Sequence, residues 1–417
     1  MLKKIRESRK DNKVLSNYVY LLLIQGTNFI LPLITFPYLV RTLHLEKYGV
    51  VMMAGSLMVF MNIFVDFGFN ISATREVSIM RNDKNKLSNF YWNVFYTKLL
   101  LLFISFIILY LLTLTVPKLQ SEKLVFLLSF GVVIGQNIFP AWFFQGIEKM
   151  KVITLMNVLA KIIFAIAIFI FIKRPAQYIL VPVLNSLGFL IAGTLGFLIS
   201  LRYINYNRPQ KSVMKGFVGE NKSLIVSNFA TSIYTSGNTF ILGLIGGEEM
   251  AGIYSSMEKL VMAIKTLYTP LYQAIFPWLA SKPKEKIIQF TEYLKKPIAL
   301  SALLIFMLIF IFADSILELV YNNNIITSYS NVFRILGLIA IFASLNMIYV
   351  SLAFPALKKY KYRMIPMLVG GIINLILAVA GAYLFGICGV AVAVVLAELS
   401  ILLIAHYFFQ KLKKSGQ

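Results

Sequence analysis

Five basic residues lie inside long apolar stretches of this 417-residue chain, where a positive charge is unusual. They are Lys98, Lys161, Lys259, Lys265 and Arg334. A charge at the centre of a membrane-spanning helix costs about 2.5–3.5 kcal/mol, so five that faced lipid would cost on the order of 15 kcal/mol. A water-filled cavity removes most of this cost, and a cavity with excess positive charge concentrates anions. The sequence therefore predicts that these cations line an anion-binding cavity.

Three acidic residues in the same stretches could neutralise some of these cations: Asp66, Glu258 and Glu398. Glu258 precedes Lys259 and lies seven residues before Lys265, on the same helical face. We therefore expect one ion pair at this place. Pairing all three acids would still leave two of the five cations, and for this reason an anion-binding cavity is favoured over purely structural ion pairs.

Polar side chains recur at helical spacing on three apolar stretches. The sets are Gln25, Asn28 and Thr35; Asn228, Ser232, Thr235 and Thr239; and Asn62, Asp66 and Asn70. Amides and hydroxyls bind sugar hydroxyls, or they hold neighbouring helices together by hydrogen bonds. Both interpretations stay open, and ligand contacts are predicted for Gln25, Asn28, Asn228 and Thr235.

The apolar stretches themselves indicate an integral membrane protein. Hydrophobic residues make up 59% of the chain and charged residues 14%, against about 25% charged residues in soluble domains. About 20 apolar residues cross a bilayer as a helix. We predict twelve spans, at 14–40, 47–72, 91–113, 124–146, 152–172, 178–201, 219–245, 252–280, 294–313, 329–353, 363–385 and 387–409.

The distribution of basic residues predicts the orientation in the membrane. Of the 40 Lys and Arg residues, 29 fall on the side that holds both termini and 6 on the opposite side. Because cytoplasmic loops collect Lys and Arg, both termini are predicted to be cytoplasmic. The formal net charge of +23 is thereby explained by topology and by attraction to anionic lipid, and no nucleic-acid partner is expected.

The chain offers little for catalysis, metal binding or nucleotide binding. Cys388 is the single cysteine, His44 and His406 are far apart, and no phosphate-binding loop motif occurs. No hydrophilic stretch is long enough to fold as a separate domain. We therefore expect no catalytic residues, no metal and no cofactor. Gly131 and Gly135 are interpreted as a helix-packing step.

A weak internal repeat predicts the domain organisation. Residues 144–151 align with 354–361, and the turn at 46–49 resembles the turn at 249–252. Six spans restore the original side of the membrane, so spans 1–6 would correspond to spans 7–12. Transporters are often built from such repeats, although chance similarity among basic and apolar residues is the alternative. The predicted bundles are 1–210 and 211–417.

Several motifs resemble those of a known family. They are the run Leu-Pro-Leu-Ile-Thr-Phe-Pro-Tyr-Leu-Val-Arg-Thr-Leu at 31–43, Glu-Lys-Tyr-Gly at 46–49, Asp-Phe-Gly-Phe at 66–69, Thr-Arg-Glu at 74–76, Ala-Trp-Phe-Phe-Gln-Gly at 141–146, Ala-Gly-Ile-Tyr-Ser-Ser at 251–256 and Phe-Pro at 276–277. Together they resemble the bacterial O-antigen and polysaccharide-unit flippases, the polysaccharide transporter family of the multidrug/oligosaccharidyl-lipid/polysaccharide exporter superfamily.

The resemblance implies an all-α integral membrane protein with twelve transmembrane helices in two six-helix bundles around a central cavity. It implies a transporter of the bacterial inner membrane, not an enzyme, that moves an undecaprenyl-pyrophosphate-linked oligosaccharide to the periplasmic leaflet by alternating access. The implied partners are this lipid-linked oligosaccharide, membrane lipids, a coupling ion (proton or sodium) and other polysaccharide assembly proteins. Asp66 and Glu258 are the candidates for ion coupling. The alternatives are a drug or metabolite exporter of the same superfamily and a membrane polysaccharide polymerase.

Overall fold

The computed structural model describes residues 2–280 and 282–414, with side chains from residue 30 onwards except for some positions between 218 and 277. Every regular element in these ranges is helical. The first helices are α1 Leu2–Asp66, α2 Phe69–Met80, α3 Lys84–Thr115, α4 Pro117–Ser121, α5 Lys123–Ile138, α6 Ala141–Gly146, α7 Met150–Phe171 and α8 Leu180–Ser200, with a 3₁₀ turn at Pro175–Ile179. The later ones are α9 Lys211–Gly246, α10 Glu248–Thr266, α11 Thr269–Ala280, α12 Lys284–Tyr321, α13 Asn324–Ser328, α14 Ser330–Gly337, α15 Ile339–Met347, α16 Phe354–Ala356 and α17 Tyr360–Lys414, with a π-helix at Ile348–Ala353.

The helices account for the predicted membrane spans. Eight helical stretches of the described chain are long and apolar enough to cross a bilayer. Two of them, Ile30–Met80 and Tyr360–Lys414, each bend sharply. The second contains two predicted spans, and the first contains the span 47–72 and the end of the span 14–40, which lies in α1. The remaining predicted spans, 219–245 and 252–280, correspond to α9 and to α10 with α11. The predicted fold class, an all-α membrane-spanning protein, is confirmed.

Positive φ angles mark the points where long helices turn. His44 (φ 60°) breaks α1, and Gly386 (φ 57°) breaks α17. A further break follows Asp66, where Phe67 (φ 50°) and Gly68 (φ 82°) separate α1 from α2. Residues other than glycine rarely adopt this left-handed conformation. The Asp-Phe-Gly sequence is thus a helix break that leaves Asp66 at the end of α1.

The chain forms two compact units, neither of which is one continuous segment. The first unit comprises residues 1–35 and 57–228, and the second comprises 36–56 and 229–417. The division at residue 210 that the internal repeat suggests stays a prediction.

Close helix packing at small residues organises the first unit. A side chain at Gly135 of α5 would overlap the backbone carbonyl of Phe189 on α8, and one at Gly131 would overlap Ser186. Only glycine permits this approach of two backbones, so the packing interpretation of Gly131 and Gly135 is confirmed. A hydrophobic cluster rich in aromatic residues, Tyr91 among them, packs within the same unit.

In the second unit, residues 36–56 form a hairpin that packs on α10 and α12. Gly49 approaches the backbone of Glu248, where a Cβ atom would overlap the carbonyl group. Arg41 donates from Nε to the carbonyl of Tyr321 (2.9 Å) and from Nη2 to that of Val320 (2.7 Å). These carbonyls end α12 and have no partner within the helix. The Arg41 guanidinium therefore satisfies them and complements the negative end of the helix dipole.

The helix α12 has one face for the protein and one for lipid. Ala302, Ile309 and Leu317 are buried, whereas Leu304 and Ile311 are each 63% exposed. A water-soluble helix would carry polar residues on its exposed face. The apolar exposed face of α12 is the one expected where a helix contacts acyl chains.

Candidate functional site: a polar cavity in each unit

The first unit contains a cavity of about 340 Å³ that is lined mainly by polar side chains. Its charged and amide-bearing lining residues are Asn62, Asp66, Asn70, Lys98, Gln136, Asn137, Asn157 and Lys161. They come from α1, α2, α3, α5 and α7, and Phe139 and Phe189 are among the apolar residues that complete the wall. Two of the five predicted intramembrane cations, Lys98 and Lys161, thus line one cavity.

Lys98 forms an ion pair with Asp66 in this cavity. Its Nζ atom lies 3.3 Å from Asp66 Oδ1, and the two side chains are only 5% and 11% exposed. Asp66 Oδ2 also accepts a weak hydrogen bond from the backbone N–H of Asn70 at 3.4 Å. Asp66 was predicted as an ion-coupling residue, and the pairing with Lys98 means that a proton bound to Asp66 would leave Lys98 without its counter-charge.

Lys161 lies in the middle of α7, one helical turn after Asn157. Residues four apart share a helix face, and both side chains line the cavity. The Asn157 amide donates one hydrogen bond to the carbonyl of Ile153 at 2.9 Å. This arrangement places a cation and an amide side by side within membrane-spanning helices, as the sequence predicted for Lys161 but not for Asn157.

An amide pair connects α1 to α5 at the edge of the same cavity. Asn137 Nδ2 donates to Asn62 Oδ1 at 2.7 Å and to the carbonyl of Val133 at 2.9 Å. For Asn62, the structure therefore supports the interpretation in which amides hold helices together, which the sequence left open.

The second unit contains a cavity of about 290 Å³ that is more apolar. Lys265 and Glu398 form an ion pair there, with 2.6 Å between Nζ and Oε1. Asn346 donates to the other carboxylate oxygen, Oε2, at 2.7 Å. Thr235 lines this cavity, together with Met262 and other apolar residues. A buried carboxylate with both a cation and an amide donor is well compensated.

Of the two lysines expected near Glu258, Lys265 has another partner, and Lys259 interacts with Glu258 electrostatically. Glu258 Oε2 accepts a hydrogen bond from Thr239 Oγ1 at 3.0 Å, and Lys265 pairs with Glu398 instead. Seven residues span about 10 Å along a helix axis, which is too far for a direct contact between Glu258 and Lys265. Lys259 Nζ lies 5.5 Å from the centre of the Phe36 ring, a favourable cation–π geometry.

Two positions differ from the sequence-based expectation because helices begin and end elsewhere. Lys265 was expected near the middle of a span, but α10 ends at Thr266, so Lys265 lies in its last turn, where the helix dipole favours a cation. The predicted ninth span ended at residue 313, whereas α12 continues to Tyr321 and carries Asp314. Asp314 forms an ion pair with Arg334. Arg334 is therefore held by a partly exposed carboxylate and does not line either of the two cavities described above.

The other predicted ligand residues are placed as follows. Thr235 lines the cavity of the second unit. Asn228 is half-buried on α9 and does not line the two cavities described. The side chains of Gln25 and Asn28 lie outside the described residues. The substrate-binding role of all these residues stays a prediction.

Sequence reasoning missed the amides Gln136, Asn137, Asn157 and Asn346. The spacing of Asn157 and Lys161 was a usable signal, because it puts both on one face of a predicted helix. Asn346 offered no such signal, since Glu398 is 52 residues away in the chain. In the described part of the chain, no group of three or more His, Cys, Asp or Glu side chains is arranged to hold a metal ion.

The long apolar helices define a multi-pass membrane protein. Its fold is similar to that of the structure "Lipid II flippase MurJ, inward closed conformation", with a TM-score of 0.71 at 15% identity over 95% of this chain and 87% of the other. The fold is also similar to that of a multidrug resistance MATE family transporter of the MOP superfamily in its inward-facing conformation. The TM-score is 0.68 at 15% identity, over 96% of this chain and 100% of the other. At such low identity, these likenesses concern the fold alone.

A family model for "Polysaccharide biosynthesis protein" matches residues 14–282, and the chain belongs to this family. It is similar to a protein of Escherichia coli (strain K12) named "Putative O-antigen transporter", with 29% identity over 397 residues that cover 92% of this chain and 93% of the other. A protein of the same name in Shigella dysenteriae is 29% identical over 272 residues, 63% of this chain and 67% of the other. The family resemblance predicted from the motifs is confirmed.

Proposed function

We propose that the protein is a flippase that moves an undecaprenyl-pyrophosphate-linked oligosaccharide, an O-antigen or similar repeat unit, from the cytoplasmic to the periplasmic leaflet. The observation that carries this proposal is the cavity of the first unit, where Lys98 and Lys161 lie among amides within membrane-spanning helices. The cargo has an anionic pyrophosphate and a polar glycan, which require cations and hydrogen-bonding groups at bilayer depth. The relatives named as O-antigen transporters support the same substrate class.

The residues proposed to contact the cargo are those that the sequence singled out. They are Lys98, Lys161, Lys259, Lys265, Arg334, Gln25, Asn28, Asn228 and Thr235. Lys161 has the strongest support, because it lies in the middle of its helix and lines the polar cavity. Arg334 has the weakest, because Asp314, Ser330 and Asn331 already hold its guanidinium.

Transport is proposed to follow alternating access and to be coupled to a proton or sodium gradient. Asp66 and Glu258 are the proposed coupling residues. Asp66 suits this role because its counter-ion is Lys98, a proposed substrate contact. Neutralising Asp66 with a proton, or binding a cation beside it, would change the charge offered to the cargo. This direct contact would link ion binding to substrate binding without any distant pathway.

The proposed location is the bacterial inner membrane with both termini in the cytoplasm. The excess of Lys and Arg on the side that holds the termini, 29 against 6, supports this orientation. Other polysaccharide assembly proteins that make and extend the repeat unit are the proposed partners.

The test is transport by the purified full chain in proteoliposomes. Labelled lipid-linked oligosaccharide is added in one leaflet, a proton or sodium gradient is imposed, and the label accessible in the other leaflet is measured. We expect transport by the native chain and its loss in Lys161→Ala, with the exposed Lys84→Ala as the matched control that keeps activity. Transport of a cationic dye but not of the lipid-linked oligosaccharide would contradict the proposal and favour a drug exporter. Lengthened oligosaccharide products would instead indicate a polymerase.

Lys265 requires a second variant, because its loss also leaves Glu398 buried without a counter-charge. Lys265→Ala combined with Glu398→Gln removes both charges and should restore folding. We expect this double variant to insert and fold but to transport poorly, and Lys265→Glu to be worse than Lys265→Ala. Normal transport by the folded double variant would remove Lys265 from the proposed substrate contacts.

A further inference from the structure

We propose that the cavity of the first unit binds a sugar residue of the cargo, separately from the site that holds the pyrophosphate. This inference rests on the proposed function and adds which part of the cargo occupies which cavity. The juxtaposition that carries it is a buried Lys–Asp ion pair surrounded by amides from four helices, in a cavity of about 340 Å³.

The amides of this cavity retain hydrogen-bonding capacity of both kinds. The side-chain NH₂ group of Asn137 donates hydrogen bonds to Asn62 and to the carbonyl of Val133, which leaves its side-chain carbonyl oxygen as an acceptor. Asn157 spends one N–H on Ile153 and keeps its other N–H and its oxygen. Gln136 also lines the cavity, and its side-chain amide makes no hydrogen bond with another described residue. A polar group at bilayer depth has to be satisfied by water or by a ligand.

A sugar hydroxyl matches this set of groups because it donates one hydrogen bond and accepts others, as amides do. Phe139, Phe189 and Met156 form apolar parts of the same wall, against which the C–H face of a sugar ring can pack. The volume lies near the lower end of small-molecule sites, which is about 300–1,000 Å³. The cavity therefore suits a single sugar residue better than a whole oligosaccharide.

The pyrophosphate fits the part of this cavity around Asp66 less well, whereas Lys161 on α7 stays its proposed contact. Asp66 presents a carboxylate to it, and a like charge at contact distance disfavours an anion. Asp66 also holds Lys98, so that cation is not available without breaking the pair. A hydroxyl group of a neutral sugar, in contrast, can accept a hydrogen bond from Lys98 or donate one to Asp66 while the ion pair stays intact.

The cavity of the second unit is more apolar, although it also contains an ion pair, Lys265 with Glu398, and a buried amide oxygen, Asn346 Oδ1, that has no hydrogen-bond partner among the described residues. Met262, Met347 and Met367 line it, and its amide, Asn346, is bound to Glu398 through both the backbone carbonyl and the carboxylate. Methionine side chains adapt to apolar ligands and offer almost no hydrogen bonds to hydroxyls. A glycan is therefore expected in the first unit.

The test compares the binding of two probes to the purified full chain in detergent. One probe is undecaprenyl pyrophosphate without sugar, and the other is the lipid-linked oligosaccharide extracted from cells that lack this protein. Asn157→Ala is the test variant, Gln136→Ala is a second one, and Asn85→Ala at an exposed position of α3 is the matched control. Thermal unfolding of each variant establishes that it is folded before its dissociation constants are measured.

We expect Asn157→Ala to weaken binding of the glycosylated probe about tenfold, the loss of roughly one good hydrogen bond, and to leave binding of undecaprenyl pyrophosphate unchanged. The control should bind both probes as the native chain does. Equal weakening for both probes, or no weakening for either in both test variants, would overturn the sugar assignment while the flippase proposal stands. Failure of the native chain to bind either probe would overturn the proposed function itself.

Discussion

The ion pair of Lys98 with Asp66 gives a sharp test of the structure. Asp66→Asn keeps the size of the side chain but leaves Lys98, which is 5% exposed, without its counter-charge. Removing one partner of a buried ion pair typically lowers the free energy of unfolding by about 3–5 kcal/mol. Both side chains line a polar cavity where water can enter. We therefore expect Asp66→Asn to lower the free energy of unfolding by about 3 kcal/mol, the lower end of this range.

The matched control is a carboxylate that is paired at the surface. Asp314 is 54% exposed in its ion pair with Arg334, and exposed pairs contribute about 0–1 kcal/mol. Asp314→Asn should therefore lower the free energy of unfolding by no more than about 1 kcal/mol. The double variant Asp66→Asn with Lys98→Met removes both buried charges and should come within about 1 kcal/mol of the native chain.

The assay is the fraction of folded protein in mixed micelles of increasing SDS content, from which the free energy of unfolding is extrapolated for each variant. If Asp66→Asn is no less stable than Asp314→Asn, the pair is not buried as described. If the double variant is as unstable as Asp66→Asn, the loss comes from something other than an uncompensated charge. Either result would refute the reasoning.

Three further predictions concern packing and helix ends. Gly135→Ala should destabilise the protein by about 1–3 kcal/mol, because the added methyl group overlaps α8. Gly55→Ala is the control and should not destabilise it, because a Cβ atom there meets no atom within 4 Å. Equal SDS concentrations at the unfolding midpoints of the two variants would argue against the described packing. Asp83 caps α3, and the hydrogen bond that it accepts from the backbone N–H of Lys86 lowers the pKa of its carboxyl group. The stabilisation of the folded protein by the Asp83 carboxylate is therefore present above about pH 4, near the ordinary pKa, and is lost as the pH falls through the lowered pKa. In that range the native chain should lose its higher thermal stability relative to Asp83→Asn, whose side chain does not titrate. A difference in thermal stability that does not change with pH would contradict this prediction. Arg41→Ala removes two hydrogen bonds to the end of α12 and should cost about 1 kcal/mol, measured in the same SDS titration with Arg41→Lys as an intermediate; no change would mean that water replaces the guanidinium there.

Much of the fold could be predicted from the sequence because the membrane imposes it. Long apolar stretches must be helical, since backbone groups in hydrocarbon have to be satisfied within their own segment. Helix ends were harder to predict. Asp314 lowered the local hydropathy and ended the predicted span at residue 313; α12 has a non-helical residue beside this point, Phe312 (φ −102°), and a further helical segment continues from there to Tyr321.

The residue types of the site could be predicted from the sequence, but which residues pair with each other could be predicted much less well. Lys98 and Lys161 stood out because each is a charge in an apolar stretch, and both line a cavity. The partner of Lys265 is 133 residues away in the chain, and no local spacing relates it to Glu398. Contacts between distant helices depend on the rotation of each helix about its axis and on the angle at which the helices cross. Neither can be inferred from a single sequence.

The hairpin of residues 36–56 has a consequence for how the protein is made. It belongs to the second unit, but the 172 residues of segment 57–228 separate it from the rest of that unit. During synthesis, the hairpin therefore leaves the ribosome long before α10 and α12 exist. Gly49 and Arg41 must stay available until these later helices are inserted, so the second unit reaches its final packing only near the end of translation.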